Sequence, residues 1–230
     1  MVTIVKVASL FSGGKDSAFA LWWAQMQGWD IESLVTVFPQ SKDSWMFHYP
    51  AVRWTKLQAE AIGIRHRVIE TKGEKEAELR DLGDGLASLK KSSDIEGIVS
   101  GAIASEYQKT RLDNLCEKLG LKSFAPLWHK NQEQILREQI ESGFEIIMTA
   151  CNALGLDETW LGKRLGLAEL GELVKLKQRY GLNVAFEGGE AETFVLRAPQ
   201  FKGRLSISRA TPHWKQQSGY LELEEVSIVL

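Results

Sequence analysis

The sequence predicts an α/β protein: a parallel sheet with helices on both faces, continued by a second, smaller α+β unit. Three observations carry this. Short apolar runs alternate with helix-forming stretches through the first half of the chain. A Gly-Gly loop joins the first of these runs directly to a helix. Past Phe124-Ala125-Pro126 the alternation gives way to short strands in succession. Strand, helix, strand at this rhythm implies parallel pairing with right-handed crossovers.

The first strand is expected over Ile4, Val5, Val7, Ala8, Leu10 and Phe11, and the helix leaving the loop starts near Asp16 with Phe19, Trp22, Trp23 and Met26. It ends near Gly28, and Leu34 to Phe38 reads as a buried strand closed by Pro39. A polar loop, QSKDSWMFHYP, follows. Ala51 to Ala61 is helical by propensity and stops at Gly63, and Ile64 to Glu70 is a strand. Lys75 to Lys91 is a charged helix with Leu79, Leu82, Leu86 and Leu89 at spacings of three and four, so one face packs. A strand at Ile95 to Gly101 and a helix from Glu106 to Leu119 complete the first unit. The second reads as a helix (Gln132 to Ser142), a strand (Phe144 to Ala150), GLDETWLG, a helix (Leu167 to Tyr180) and strands at Asn183 to Phe186, Phe194 to Leu196, Leu205 to Ser208 and Tyr220 to Leu230. The division falls between residues 1–125 and 126–230. With no repeat and no low-complexity linker, the two units are expected to pack closely and share a site.

Composition narrows the function. In 230 residues, 44% apolar content is ample for a packed core. A net charge of −2 and a pI near 6.1 argue against a broad electrostatic grip on nucleic acid. No apolar stretch approaches the ~20 residues that span a bilayer, and no signal peptide opens the chain, so a cytoplasmic location without membrane contact is expected. Cys116 and Cys151 form no CxxC and read as small core residues. There is no Cys/His spacing of a zinc site and no GxSxG. Among eight tryptophans, Trp45 and Trp128 sit in polar, loop-like settings where an aromatic face could serve a ligand.

The chemistry concentrates in three stretches. In LFSGGKDSAFAL, Gly13 and Gly14 let backbone N–H groups approach an oxyanion, the helix N-terminus adds its donors, and Lys15, expected to be exposed in this cradle, adds a full charge. Ser12 and Ser17 bring hydroxyls. The spacing is not that of the familiar phosphate-binding loop, which needs four residues between its first Gly and Gly-Lys; the simpler reading is a tight turn with Asp16 as cap. In GAIASEYQKTR, Gly101 allows close approach, Ser105 can cap a helix, and Gln108, Lys109 and Arg111 are polar or basic; the alternative is a strand-to-helix turn with a solvated face. EGGEAET is read as following a strand and crowding Glu187, Glu190 and Glu192 around a Gly-Gly turn, where they should shift one another's pKa unless a cation answers them; the alternative is a solvated acidic hairpin. The loops Ser12 to Ser17, Pro39 to His48 and Gly101 to Arg111 all follow strand ends and should line one site, with EGGEAET facing them.

SGGKDS resembles the PP-loop of the N-type ATP pyrophosphatases, whose sheets are of the HUP class. With SWMFHYP, GAIASEYQKTR, GLDETWLG and EGGEAETFVL, in this order over nearly the whole chain, the sequence resembles the diphthine–ammonia ligase family, in its short, archaeal-type form. The resemblance implies ATP-dependent amidation of diphthine on translation elongation factor 2 by free ammonia through an acyl-adenylate, with ATP and Mg²⁺ required. It implies that Ser12, Gly13, Gly14, Lys15 and Ser17 hold pyrophosphate, that Lys15 and Asp16 are catalytic with Asp16 on Mg²⁺, and that Val37, Phe38, Gly101 and Ile103 border the nucleotide. His48, Ser105, Tyr107, Gln108, Arg111, Glu187, Gly188, Gly189, Glu190, Glu192 and Thr193 would then face the substrate. Beyond the resemblance, the three glutamates, with Trp45, Tyr49 or Trp128, are candidates to hold diphthine's trimethylammonium group. Two other readings of the loop stand at this stage, a tRNA-modifying enzyme and a module that senses ATP or AMP without turnover. The oligomeric state is open, a homodimer included.

Overall fold

The computed structural model describes residues 4–39, 51–71 and 75–229. The first sheet is built from β1 (Lys6–Leu10), β2 (Asp30–Pro39), β3 (His66–Thr71), β4 (Gly97–Val99) and β5 (Lys122–Phe124) in the order β3-β2-β1-β4-β5, every pair parallel. Four helices connect them: α1 (Lys15–Met26), α2 (Thr55–Ile62), α3 (Lys75–Ser93) and α4 (Glu106–Lys118). The second unit contributes α5 (Gln132–Glu141), β6 (Glu145–Cys151), α6 (Leu167–Tyr180), β7 (Ala191–Arg197), β8 (Arg204–Lys215) and β9 (Ser218–Val229), its strands forming an antiparallel sheet in the order β7-β6-β9-β8. The α/β class, with its parallel first sheet and α+β second unit, is as the sequence predicts.

Alternation along the strands puts neighbouring residues on opposite faces of the first sheet. Val7, Leu34 and Val99 pack with Ala18, Leu21 and Ala24 of α1 and Ala59 and Ile62 of α2. Ala8, Val35 and Ile98 pack the other way, against Leu86 and Leu89 of α3 and Leu112 and Cys116 of α4. The first cluster does not stop at the unit boundary: it runs on through Ile135 and Leu136 of α5, Ile146 and Met148 of β6, Phe194 of β7 and Leu223 of β9. One core therefore holds both sheets. A single large side chain in it, such as the fully buried Phe194, contributes about 3–5 kcal/mol as judged by truncation to Ala.

Several boundaries differ from expectation for identifiable reasons. β2 starts at Asp30, because the Asp30-Ile31-Glu32-Ser33 stretch already pairs with Lys6 to Ala8 of β1. β5 is only Lys122-Ser123-Phe124, too short and polar to announce itself. Asn183 to Phe186 is a turn rather than a strand: the Phe186 and Ala185 N–H groups both donate back to Asn183, and Phe186 adopts φ 66°. EGGEAET consequently precedes a strand instead of following one, with Glu192 and Thr193 inside β7. β8 runs on past Ser208 to Lys215 at the hairpin tip, through polar sequence that carries no apolar alternation, and β9 starts at Ser218. Among the described residues no helix is long and apolar enough to cross a membrane. Both cysteines are buried and unpaired, and burial pushes the thiols up to about 11 for Cys116 and about 12 for Cys151, which leaves them protonated and inert.

Candidate active site

The loop between β1 and α1 is held by both units. Gly13 sits at φ +81°, and a Cβ there would lie 2.3 Å from Oε1 of Gln58, so glycine is required twice over. The Gly13 carbonyl accepts from Gln58 Nε2 (2.9 Å) and from the Val195 N–H (3.1 Å). Gln58 Nε2 also donates to the Val195 carbonyl (2.8 Å), tying the loop to β7. Gly14 is the extended N-cap of α1, so Asp16 is not the cap. The Lys15 N–H donates to Thr193 Oγ1 (3.2 Å). Ser12 and Ser17 fold back on the loop, with their hydroxyls 3.1 Å apart and Ser17 Oγ donating to the Gly14 carbonyl (3.1 Å).

Lys15 is not exposed as expected. It is 2% accessible, its Nζ donating to the Ala185 carbonyl and pairing with Asp16 Oδ2, both at 2.6 Å, and standing 5.1 Å from the centre of the Phe186 ring. The other Asp16 oxygen accepts from Gln139 Nε2 (2.9 Å) on α5. The turn that brings the Ala185 carbonyl to Lys15 passes through left-handed Phe186, a conformation that a bulky residue keeps only where its surroundings enforce it.

Two cavities flank this loop. The larger, about 590 Å³, lies over the carboxyl ends of β1, β2 and β4, where the chain order reverses on either side of β1 and ligands of such sheets bind. Ser12, Asp16, Ser17, Val37, Gly101, Ser105, Tyr107, Gln108 and Arg111 line it, and Glu187 reaches it from the second unit. The smaller, about 160 Å³, is bounded by Gly14, Lys15, Thr149, Ala185, Glu192 and Thr193. Ser12, Asp16, Ser17, Val52 and Glu187 border both.

The three glutamates of the acidic stretch do not crowd one another; each has its own surroundings. Glu187 Oε2 accepts from the N–H groups of Ile103 (3.4 Å), Ala104 (2.9 Å) and Ser105 (3.1 Å), answering the open N-terminus of α4 with a negative charge. Ser105 caps that helix, accepting from the Gln108 N–H at 3.4 Å. Glu190 accepts from the N–H groups of Gly188 (2.8 Å) and Asn183 (3.3 Å) and so orders its own turn. Glu192 lines the smaller cavity, and burial, not the neighbouring carboxylates, pushes its carboxyl up to about 8. The shift of Glu192 thus comes from burial and not from the crowding of carboxylates that the sequence suggests.

Not every expected residue reaches a cavity. Ile103 is fully buried in the core, so its side chain cannot flank a nucleotide; only its N–H takes part, toward Glu187. Phe38, Gly188, Gly189 and Glu190 border neither cavity. Gly101 approaches closely as expected, but to the backbone of α1: a Cβ would lie 2.6 Å from the Asp16 carbonyl carbon. Trp128 is spent on His129, stacked at 4.6 Å, and Arg111 lies 3.9 Å from the Tyr107 ring centre. His48, Trp45 and Tyr49 lie outside the described residues.

Sequence reasoning passed over Gln58, Gln139 and Thr149, all fully buried polar residues at the site. A signal existed for the glutamines. Gln139 falls on the apolar stripe of α5 with Ile135 and Leu136, and Gln58 lies beside Thr55, Ala59 and Ile62 on the buried face of α2, where an amide needs a partner to be tolerated. Thr36 and His66 were also missed. Thr36 Oγ1 donates to the Phe11 carbonyl (2.7 Å) at the loop's root and meets His66 Nε2 at 2.9 Å.

The model of the diphthamide synthase N-terminal domain matches residues 5–123, and that of the C-terminal domain matches residues 131–229. The chain belongs to the diphthamide synthase family. Relatives named diphthine–ammonia ligase include proteins of Rattus norvegicus, 38% identical with 88% of this chain and 83% of the relative covered, and of Homo sapiens, 36% identical with the same coverage. A family member of Saccharomyces cerevisiae is 29% identical over 96% of this chain but only 35% of its own length. Among solved structures, a protein described as a predicted subunit of tRNA methyltransferase from Methanocaldococcus jannaschii overlaps at 16% identity and a TM-score of 0.41, covering 85% of this chain and 100% of that one. The fold class rests on the strand order, not on that overlap.

Proposed function

We propose that the protein amidates diphthine on translation elongation factor 2, consuming ATP and ammonia and releasing AMP and pyrophosphate. The reading is carried by one arrangement: an anion-cradling loop at the reversal point of a parallel sheet, facing the acidic turn of the second unit across a cavity of about 590 Å³, in a chain that matches both diphthamide synthase domains. In this reading residues 1–125 bind ATP and residues 126–230 complete the substrate site.

The cavity suits a nucleotide in size. The hydroxyl of Ser100 is buried at its wall without a hydrogen-bond partner, a group that a bound ligand could satisfy. The N-terminus of α1 and Lys15 supply positive potential at the loop, and Arg111 and Lys109, the latter paired with Asp113, line the larger cavity. Ser12, Gly13, Gly14, Lys15 and Ser17 would hold the departing pyrophosphate, and Val37 and Gly101 would border the nucleotide. Among the described residues no group of three His, Cys, Asp or Glu forms a metal cage. Mg²⁺ would therefore be held by Asp16 together with nucleotide phosphates and water, its usual manner of binding, and would neutralise charge on the phosphates.

A carboxylate is a poor acyl donor because its leaving group would be oxide. Attack of the diphthine carboxylate on the α phosphorus of ATP expels pyrophosphate and creates an acyl-adenylate, from which ammonia displaces AMP. Catalysis of the first step is neutralisation of leaving-group charge plus in-line positioning. For Lys15 this requires that its ammonium group, paired with Asp16, turn toward the phosphates. A thiolase-like reading is disfavoured by the two buried, protonated thiols, neither of which lines the cavities. The test is incubation with ATP, ammonium and elongation factor 2 bearing diphthine, followed by mass spectrometry of the factor. Conversion of one carboxyl to an amide, dependent on ATP, is expected; ATP binding without any change in the factor would support a sensor instead.

A further inference from the structure

The larger cavity accounts for a nucleotide, but the smaller chamber is left without an occupant. Two groups in it have no partner. Thr149, on β6, is fully buried, and its hydroxyl makes no hydrogen bond. Glu192, at the start of β7, borders the same chamber and forms no hydrogen bond or ion pair among the described residues; it lies opposite Ala150, next to Thr149, where the register of the two strands shifts. The other charged groups facing the chamber are engaged: Lys15 with Asp16 and the Ala185 carbonyl, Asp16 also with Gln139, and Glu187 with the N-terminus of α4. A partly buried carboxyl and a fully buried hydroxyl without partners cost stability, and a ligand that donates hydrogen bonds to both would remove that cost.

We propose that this chamber is the ammonium site of the reaction, and that the Glu192 carboxylate, assisted by the Thr149 hydroxyl, binds the cation and takes its proton. The proposal rests on the ligase reading above. An ammonium ion is small, cationic and only a hydrogen-bond donor, which matches one carboxylate and one hydroxyl in about 160 Å³. A divalent metal matches poorly, since it needs about six oxygen ligands, and the chamber's unpartnered groups are one carboxylate and one hydroxyl. A phosphate would be repelled by the ionised form of Glu192 and could not supply donors to both groups.

The chemistry balances. Ammonium transfers one proton to the Glu192 carboxylate, leaving ammonia with a free electron pair and Glu192 as the neutral acid. The pair forms the C–N bond to the acyl carbon of the adenylate, and the carbonyl π electrons move onto oxygen. When they return, the bond from the acyl carbon to the AMP oxygen breaks with its pair on AMP, and a second proton passes from nitrogen to the AMP phosphate. Glu192 then returns its proton to solvent. Burial, which lifts the carboxyl to about 8, makes it a stronger base than an exposed glutamate and suits it to this transfer. The borders shared by the two cavities, Ser12, Asp16 and Ser17 among them, put the chamber beside the nucleotide's phosphates, where the acyl-adenylate would form.

The test compares two half-reactions in wild type, Glu192→Gln and Thr149→Val, with diphthine-bearing elongation factor 2 present throughout. ATP–pyrophosphate exchange reports adenylation, and amide formation at varied ammonium reports the second step. Glu192→Gln should lower amide formation on the order of 10²-fold and raise KM for ammonium about tenfold or more, with a much smaller loss of exchange. Thr149→Val should change KM in the same direction, less steeply, and it keeps the side chain's shape should the glutamine variant fold poorly. Equal loss of exchange and amidation, or recovery of either at high Mg²⁺, would overturn the proposal in favour of a metal role, and unchanged amidation in both variants would overturn it outright. A wild-type protein that forms no amide at any ammonium concentration would refute the ligase reading itself, and this inference with it.

Discussion

Lys15 is buried between Asp16 and the Ala185 carbonyl, so truncating it removes more than a ligand for phosphate. Lys15→Met keeps most of the volume and deletes the charge. AMP formation should fall on the order of 10²-fold through loss of transition-state stabilisation. Thermal melting should show a further cost of about 1–3 kcal/mol from the unpartnered acceptors left behind. Unchanged turnover would contradict the role given to the loop. Glu192 permits a test in which the sign is fixed by its pKa. Its carboxyl is raised from 4.5 to about 8 in the folded protein, so between these values the folded state binds the extra proton and the wild type loses stability as pH rises. Glu192→Gln, which cannot ionise, should therefore melt like wild type near pH 4.5 and at a higher temperature at and above pH 8, in buffer free of ammonium. A variant less stable than wild type at the higher pH would show that the carboxylate is stabilised by a partner.

At the scale of elements, the connections after β1 and β4 position the site, and they meet through glycine. Gly101→Ala would drive a Cβ into the backbone of Asp16 and Ser17 at 2.6–2.8 Å, where neither side can yield cheaply. A loss of about 1–3 kcal/mol, as for overpacking, together with weakened ATP affinity is expected by calorimetry; an unchanged affinity would mean that the loop does not depend on this contact. Glu187→Ala should cost about 0.5–2 kcal/mol, the value of a helix cap, by exposing the N-terminus of α4, and chemical denaturation measures it. These elements were legible to different degrees. The loop, α1 and α4 could be read because glycine, cap and apolar spacing are local signals. The destinations of Glu187, Glu190 and Glu192 could not, because they are decided by groups more than eighty residues away, by a backbone turn, and by burial in turn. The apolar Val184, Ala185 and Phe186 read as a strand in the sequence, whereas they are buried in a turn with its own hydrogen bonds. The burial of Lys15 is not legible because nothing near it in sequence announces the Ala185 carbonyl.

At the scale of the whole molecule, two sheets share one continuous core, and the loop between β1 and α1 is bonded, with the start of α1, to the second unit through Gln58, Thr193, Ala185 and Gln139. Heating should therefore give a single cooperative transition, with calorimetric and van't Hoff enthalpies in agreement; two separate transitions would show that the units are energetically independent. Because the loop and the acidic turn belong to different units, the site exists only when both are folded together. The claim that unites fold and site is that the diphthine carboxylate attacks the α phosphorus of ATP at this junction. Labelling that carboxylate with oxygen-18 tests it most directly. Displacement of AMP from an acyl-adenylate carries one carboxylate oxygen away on the nucleotide, so the label should appear in AMP in equal proportion to the amide formed. Label in inorganic phosphate, with ADP as the nucleotide product, or amide formed with no label in AMP, would contradict the account.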